Sequence, residues 1–212
     1  LTIGFSEHEG SYLVGMMAAM ASKTGTVSFI GGMDIPLIRN FACGYAQGAK
    51  AVKPDVTFIS SMTGTTPAAW NDPVKGAELA KAQKAQGSDV IFAAAGGTGV
   101  GVLQAAADEG ILSVGVDSNQ NYLFPGKVLT SMLKRVDVAV YNSMKAGDAL
   151  DTTTQTLDLK ADGVGYAMDD NNAALVTPEM KAAVDAAADK IKSGELVVHD
   201  YRTDNMCPAA EF

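Results

Sequence analysis

The sequence predicts an α/β fold built on a parallel, doubly wound (flavodoxin-like) sheet. Two observations carry that expectation. Short β-branched runs recur with almost no polar alternation, at residues 27–30 (VSFI), 56–60 (VTFIS), 90–93 (VIFA) and 112–116 (LSVGV). Such runs suit strands buried on both faces, as in a parallel sheet. Segments long enough for helices lie between them, which makes right-handed βαβ units.

The elements follow in order. Residues 11–23 open on Ser11 as a cap and close before Gly25, predicting a helix. After the strand 27–30, residues 36–52 carry Pro36 in the first turn, apolar residues at Leu37, Ile38, Phe41, Tyr45 and Ala49, and Pro54 just beyond. The strand 56–60 leads to a helix over 73–86, with Asp72 as cap, Pro73 at the first position and Gly87 at the end. The strand 90–93 precedes a helix over 100–108, which Gly110 follows. The strand 112–116 is followed by a fifth strand, 128–132 (VLTSM).

The last third reads differently. Residues 136–145 predict a helix, 151–156 a Thr-rich connector and 164–168 a short strand. Residues 177–192 form an Ala-rich helix capped by Thr177. A last strand is expected over 197–201, then an irregular tail over 202–212.

Composition excludes several classes. Of 212 residues, 47% are apolar and 19% charged, which is globular rather than disordered. The length suits about one domain, taking ~150 residues each. Sixteen Lys and Arg against 24 Asp and Glu give a net charge of −8, which disfavours nucleic acid or an anionic membrane as partner. No apolar run reaches the roughly 18–20 residues of a spanning helix. No signal-peptide pattern opens the chain, and a start without Met leads us to expect a processed or partial chain.

Ligands of open α/β sheets bind beyond the carboxyl ends of the strands. Here that rule marks Gly31 to Asp34 with Met33, the long loop 62–72 with Trp70, the Gly96–Gly97–Thr98–Gly99 turn, the stretch Asp117 to Gln120, and Lys134–Arg135. Small polar loops, one aromatic, one carboxylate and one or two cations suit a small polar ligand with a flat ring and hydroxyls. Each residue also has a plainer reading: Trp70 covers its loop, Asp117 caps a turn, and Lys134 and Arg135 are a solvated pair.

Catalytic and metal signals are weak. His8, within Glu7–His8–Glu9, reads as part of a solvated helix entry, and neither it nor His199 has metal-ligand spacing. The sequence contains no G-x-S-x-G, H-E-x-x-H, C-x-x-C or P-loop pattern. The unit 90–117 imitates a dinucleotide fold, with Gly97–Thr98–Gly99 and Asp117 downstream. Val102 stands where the third glycine of that fingerprint belongs. An NAD-dependent oxidoreductase is therefore the alternative function.

Seven segments together resemble one family: 9–15 (EGSYLVG), 29–36 (FIGGMDIP), 41–48 (FACGYAQG), 70–73 (WNDP), 89–101 (DVIFAAAGGTGVG), 114–120 (VGVDSNQ) and 128–134 (VLTSMLK). Their content and order resemble the basic membrane protein (BMP) family of ABC-transporter substrate-binding lipoproteins. These are purine nucleoside receptor-like proteins with the type I periplasmic-binding-protein fold.

The resemblance implies a non-enzymatic solute-binding component of an ABC importer. It would be periplasmic or on the cell surface, anchored by lipid at an N-terminus not present here, with an ABC permease as partner and no cofactor or metal. A regulator's ligand-sensing domain sharing this fold is a further alternative. The implied organisation is a hinge segment over 1–7, a complete second lobe over 8–133, and a hinge and returning segment over 134–212. Most of the first lobe would be absent.

The implied ligand is a purine nucleoside or base in an interlobe cleft. Trp70 would lie near the ring, with Met33 beside the site and Gly96 and Gly97 allowing close backbone approach. Asp117 would accept from ribose hydroxyls, and Lys134 would bridge at the hinge. The implied export would put Cys43 and Cys207 in an oxidising compartment. Two readings of them stand: a bridge tying the tail to the lobe, or a buried Cys43 with a loose Cys207 thiol.

Overall fold

The structure is a computed structural model that describes residues 2–149 and 153–212. In chain order its elements are β1 (Thr2–Phe5), α1 (Glu7–Ala21), β2 (Thr26–Met33), α2 (Pro36–Val52), β3 (Thr57–Gly64), α3 (Pro73–Ala85) and β4 (Val90–Ala94). Then come α4 (Gly97–Asp108), β5 (Leu112–Asp117), β6 (Val128–Lys134), α5 (Val136–Ala146), β7 (Thr154–Leu157), β8 (Val164–Tyr166) and α6 (Pro178–Ser193).

Six strands form the main sheet in the order β3-β2-β4-β5-β6-β8. Pairing is parallel from β3 to β6, and β8 adds antiparallel to the β6 edge. This is the doubly wound α/β architecture the β-branched runs predict. The period of two along each strand sorts side chains into two cores. Phe29, Phe92, Val114 and Val116 pack with α1, α2 and α6, while Ile30, Ile91 and Ala93 pack with Ala80 of α3 and Leu103 of α4. Phe29 and Phe92 meet edge to face at 5.4 Å.

Local chemistry sets the helix ends. Asp72 accepts a hydrogen bond from Lys75 N at 2.9 Å, ahead of Pro73, and Thr177 accepts from Met180 N at 3.2 Å. Gly194 closes α6 with φ 80°, a backbone conformation that suits glycine. Helices α1 and α2 are in close contact through glycines. A Cβ on Gly15 would overlap the Tyr45 carbonyl, and one on Gly48 would overlap that of Tyr12.

Several expectations need correction. Helix α1 starts at Glu7, not Ser11, whose side chain is buried in the helix interior. Glu7 and His8 are likewise buried rather than a solvated entry. Residues 197–201 form no strand; a single 3₁₀ turn, Tyr201–Thr203, stands there. Of the expected connector 151–156, residues 151 and 152 lie outside the described residues, and β7 begins at Thr154.

The segment after 134 contributes strands to two sheets. β1 and β7 form a separate parallel pair, although Phe5 of β1 and Ala139 of α5 still join the core of the main sheet. Residues 158–212 largely stay with the main sheet. β8 bonds to β6, Val184 and Ile191 of α6 join the core, and Asn172 Nδ2 donates to Leu129 O at 2.8 Å.

The tail packs on α2. Gln47 Nε2 donates to His199 O at 3.0 Å and His199 N donates to Gln47 Oε1 at 2.9 Å. Cys43 and Cys207 are joined as a disulfide with Cα atoms 5.6 Å apart.

Candidate functional site

The carboxyl ends of β4, β5 and β6 converge on a hollow of about 180 Å³. Trp70, Gly96, Asp117 and Lys134 line it, so four of the six sequence-marked residues meet there. Met33 and Gly97 do not line it. Met33 ends β2 opposite Gly64, and Gly97 abuts the backbone of the Trp70 loop. The apolar wall was not marked by sequence: Leu37, Ile38 and Phe41 from α2, with Ala94 and Val116 from the sheet.

A second hollow of about 420 Å³ shares Asp117 and Lys134 and extends past Ser118, Asn119 and Arg135. Arg135 is paired with Asp137 at 3.2 Å and with Asp162 at 3.5 Å. Hollows of about 330 and 460 Å³ elsewhere border the C-terminal tail. They are away from the strand ends where a doubly wound sheet receives ligands.

Trp70 is set rigidly. Its indole lies against the Gly32 backbone, where any Cβ would strike the ring. The fully buried Thr98 accepts from Asp72 N at 2.7 Å and donates to Ala69 O at 2.8 Å, bracketing Trp70 on both sides.

Asp117 ends β5 with φ 65°, a conformation most side chains avoid. The turn behind it is held by Gln120, whose Oε1 accepts from Val116 N at 2.9 Å and whose N donates to Ser131 Oγ at 2.9 Å. The Asp117 side chain opens to the hollow. The surrounding protein still excludes enough water to raise its carboxyl above the usual range, against an opposing pull from Lys134.

Lys134 Nζ lies 5.2 Å from the Phe5 ring centroid and 3.7 Å from Glu7 Oε1. Glu7, 2% exposed, also meets Arg202 Nη1 at 3.2 Å through Oε2. Burial raises its carboxyl, while a backbone hydrogen bond and then Arg202 and Lys134 oppose the shift. Sequence offered no signal for this pair, since the cations that meet Glu7 are distant in the chain.

His8 is enclosed nearby. Asn40 accepts from Tyr201 N through Oδ1 at 3.0 Å, which turns its Nδ2 toward His8 Nδ1 at 3.2 Å. His8 Nδ1 is then an acceptor and the ring is neutral. Burial lowers its pKa to about 4, against the raising effect of Asp200.

The arrangement can bind, and among the described residues that line these hollows no nucleophile is paired with a base. Among the described residues, no group of three or more His, Cys, Asp or Glu side chains could hold a metal ion, and no helix is long and apolar enough to cross a membrane.

The chain is similar to known proteins along most of its length. The chain is 36% identical over 177 residues to "Basic membrane protein D" of Borreliella burgdorferi (strain JD1), covering 81% of this chain and 51% of that protein. It is 34% identical over 215 residues to "ABC transporter nucleoside-binding protein BmpA" of Lactococcus lactis subsp. cremoris, covering 92% of this chain and 58% of that protein. The chain therefore spans little more than half the length of these relatives.

The crystal structure of an ABC transporter solute-binding protein from Aeropyrum pernix K1 superposes with TM-score 0.82 at 26% identity, covering 93% of this chain and 66% of that one. The family model described as "ABC transporter substrate-binding protein PnrA-like" matches residues 1–201. With that match spanning most of the chain, the protein belongs to the PnrA-like (Bmp) family of ABC transporter substrate-binding proteins.

Proposed function

We propose that the hollow at the strand ends is one wall of a cleft for a purine nucleoside or nucleobase. The observation that carries this reading is the convergence of the Trp70 ring and the Asp117 carboxylate on one hollow. A flat ring gains stacking energy on an indole, about 1–3 kcal/mol per base in nucleic-acid binders. A carboxylate accepts from vicinal hydroxyls through charge-assisted bonds. The second hollow, which shares Asp117 and Lys134, leaves room for a sugar beside the ring. The printed name of the Lactococcus relative, a nucleoside-binding protein, supports the same ligand class.

The opposing wall would come from a further lobe. The separate β1–β7 pair and the exposed Val136, Val140, Tyr141 and Met144 of α5 support a lobe packing there. The whole protein would capture its solute outside the cytoplasm, on a lipid anchor, and deliver it to an ABC permease. The dinucleotide alternative gains no support: Val102 is fully buried where that fingerprint needs glycine.

Trp70 is the single tryptophan of the chain, so its fluorescence tests the reading directly. Adenosine should produce a saturable change, and Asp117→Asn should shift the midpoint at least about tenfold, the worth of one charge-assisted hydrogen bond. A response to hexoses or amino acids with none to adenosine would overturn the assignment.

A further inference from the structure

A buried carboxylate beside Lys134 has no role in the ligand contacts proposed above. Glu7 sits in the first turn of α1, inside the molecule, between two cations. Lys134 Nζ is 3.7 Å from Oε1, and Arg202 Nη1 is 3.2 Å from Oε2. No hydrogen bond reaches Oε2 among the described residues, so charge alone fixes this edge of the carboxylate.

Arg202 is itself clamped. Its Nε and Nη2 donate to the Asp200 carboxylate at 2.9 and 2.8 Å, and Nη2 also donates to Phe5 O at 3.3 Å. That last bond ties Arg202 to the end of β1, whose Phe5 ring underlies the lysine.

The other side of Lys134 faces the cleft. Asp117 and Leu133 are paired across β5 and β6, which puts Lys134 one residue beyond the Asp117 rung. Both side chains line both hollows. They feel each other electrostatically, yet Asp117 has no ion pair within 4.0 Å among the described residues. An ammonium beside a carboxylate would ordinarily close onto it. Here it is drawn the other way.

We infer that Glu7, backed by Arg202, is a positioning residue that holds the Lys134 ammonium away from Asp117, so that the Asp117 oxygens stay free to accept from the ligand. The inference rests on the reading that Asp117 contacts the ligand. Its physical content is a competition of two carboxylates for one cation. Glu7 is desolvated, so its attraction for Lys134 is less screened than that of Asp117, which opens to water. A buried pair of this kind need not stabilise the fold; here it would set which oxygens are available in the cleft.

The test separates positioning from simple support of the fold. Carboxyl-carbon NMR follows the titration of Asp117 without any ligand. In Glu7→Gln, Lys134 should swing to Asp117, and Asp117 should titrate at lower pH than in the parent. Glu7→Asp keeps the charge but draws it back by one methylene, and should give a smaller shift in the same direction. This variant serves if Glu7→Gln does not fold.

In a Lys134→Met background the Glu7→Gln shift should vanish, because no cation remains to move. Adenosine affinity, read by Trp70 fluorescence, should fall about tenfold in Glu7→Gln, within the usual range of coupling between sites. That loss should be absent in the Lys134→Met background.

An Asp117 titration unmoved in both Glu7 variants, or moved equally with and without Lys134, overturns the inference. A moved titration in a chain that ignores adenosine leaves the positioning intact and defeats the nucleoside reading instead.

Discussion

Asp117 combines a positive φ of 65° with an open carboxylate at the mouth of the hollow. Backbone strain concentrated at a binding residue is the pattern of a position kept for its side chain rather than for stability. Asp117→Gly removes the strain and the carboxylate together. Urea denaturation should show stability unchanged or raised by up to about 1 kcal/mol, while adenosine binding is lost. A clear fall in stability would mean that the carboxylate supports the turn.

His8 gives a residue-scale pH dependence of known sign. Its folded pKa is about 4 against 6.5 for the free side chain. Above pH 6.5 both states are neutral and the ring costs nothing. As pH falls from 6.5 toward 4, the unfolded chain takes up the proton first, and stability drops by at most about 3 kcal/mol. The raised carboxyls of Glu7 and Glu9 act oppositely, favouring the fold as pH falls toward 4.5. His8→Asn, whose Oδ1 can replace Nδ1 as acceptor for Asn40, isolates the histidine. The mutant's stability should decline less than the parent's between pH 6.5 and 4, measured by urea unfolding at each pH. Parallel profiles would exclude His8 as the source.

Among the elements, the α1–α2 contact tolerates little added volume. Gly15 and Gly48 face carbonyls of the opposite helix, Gly48 meeting Tyr12 while Gly15 meets Tyr45. A methyl at either site must move backbone, which does not yield as a flexible side chain does. Gly48→Ala should therefore destabilise by roughly 1–3 kcal/mol, the cost of overpacking, despite alanine's better helix propensity. A stabilised Gly48→Ala would show that the helices can separate freely.

The same scale explains what was legible. Strands β2, β4 and β5 announce themselves because burial on both faces leaves continuous β-branched runs. β1 and β7 do not, since each has four residues and exists by pairing with the other across most of the chain. Trp70, Gly96, Asp117 and Lys134 were legible because strand ends in a doubly wound sheet converge. Leu37, Ile38 and Phe41 were hidden, because a helix face that lines a cleft and one that fills a core have the same periodicity. Glu7 was unreadable for another reason: an acidic residue in a first helical turn normally means solvent exposure, and a backbone hydrogen bond, together with Arg202 and Lys134, offsets the cost of its burial.

At the scale of the whole molecule, the C-terminal strap closes the structure. It crosses α2 with Arg39 Nη1 donating to Tyr201 Oη at 3.2 Å. It then reaches the edge strand β3, where Phe212 meets Phe58 edge to face at 6.3 Å and Tyr201 at 5.7 Å. The Cys43–Cys207 disulfide fixes the strap midway. The same strap carries Asp200 and Arg202, so the bridge also steadies the charges behind Lys134.

The bridge spans 164 positions of sequence, and closing so long a loop restricts the unfolded chain by at most about 5 kcal/mol in the chain-entropy account. The Cys43→Ser/Cys207→Ser double variant should therefore unfold at markedly lower urea concentration than the parent. Thiol counting in denaturant should find free thiols in the parent only after reduction. The strap would keep its ring contacts in the variant but lose its tether, so proteolysis should cut near residues 203–207 first. Two free thiols in unreduced, oxidatively folded parent, or an unfolding midpoint unmoved in the variant, would show that the strap is held by its aromatic and hydrogen-bonded contacts alone.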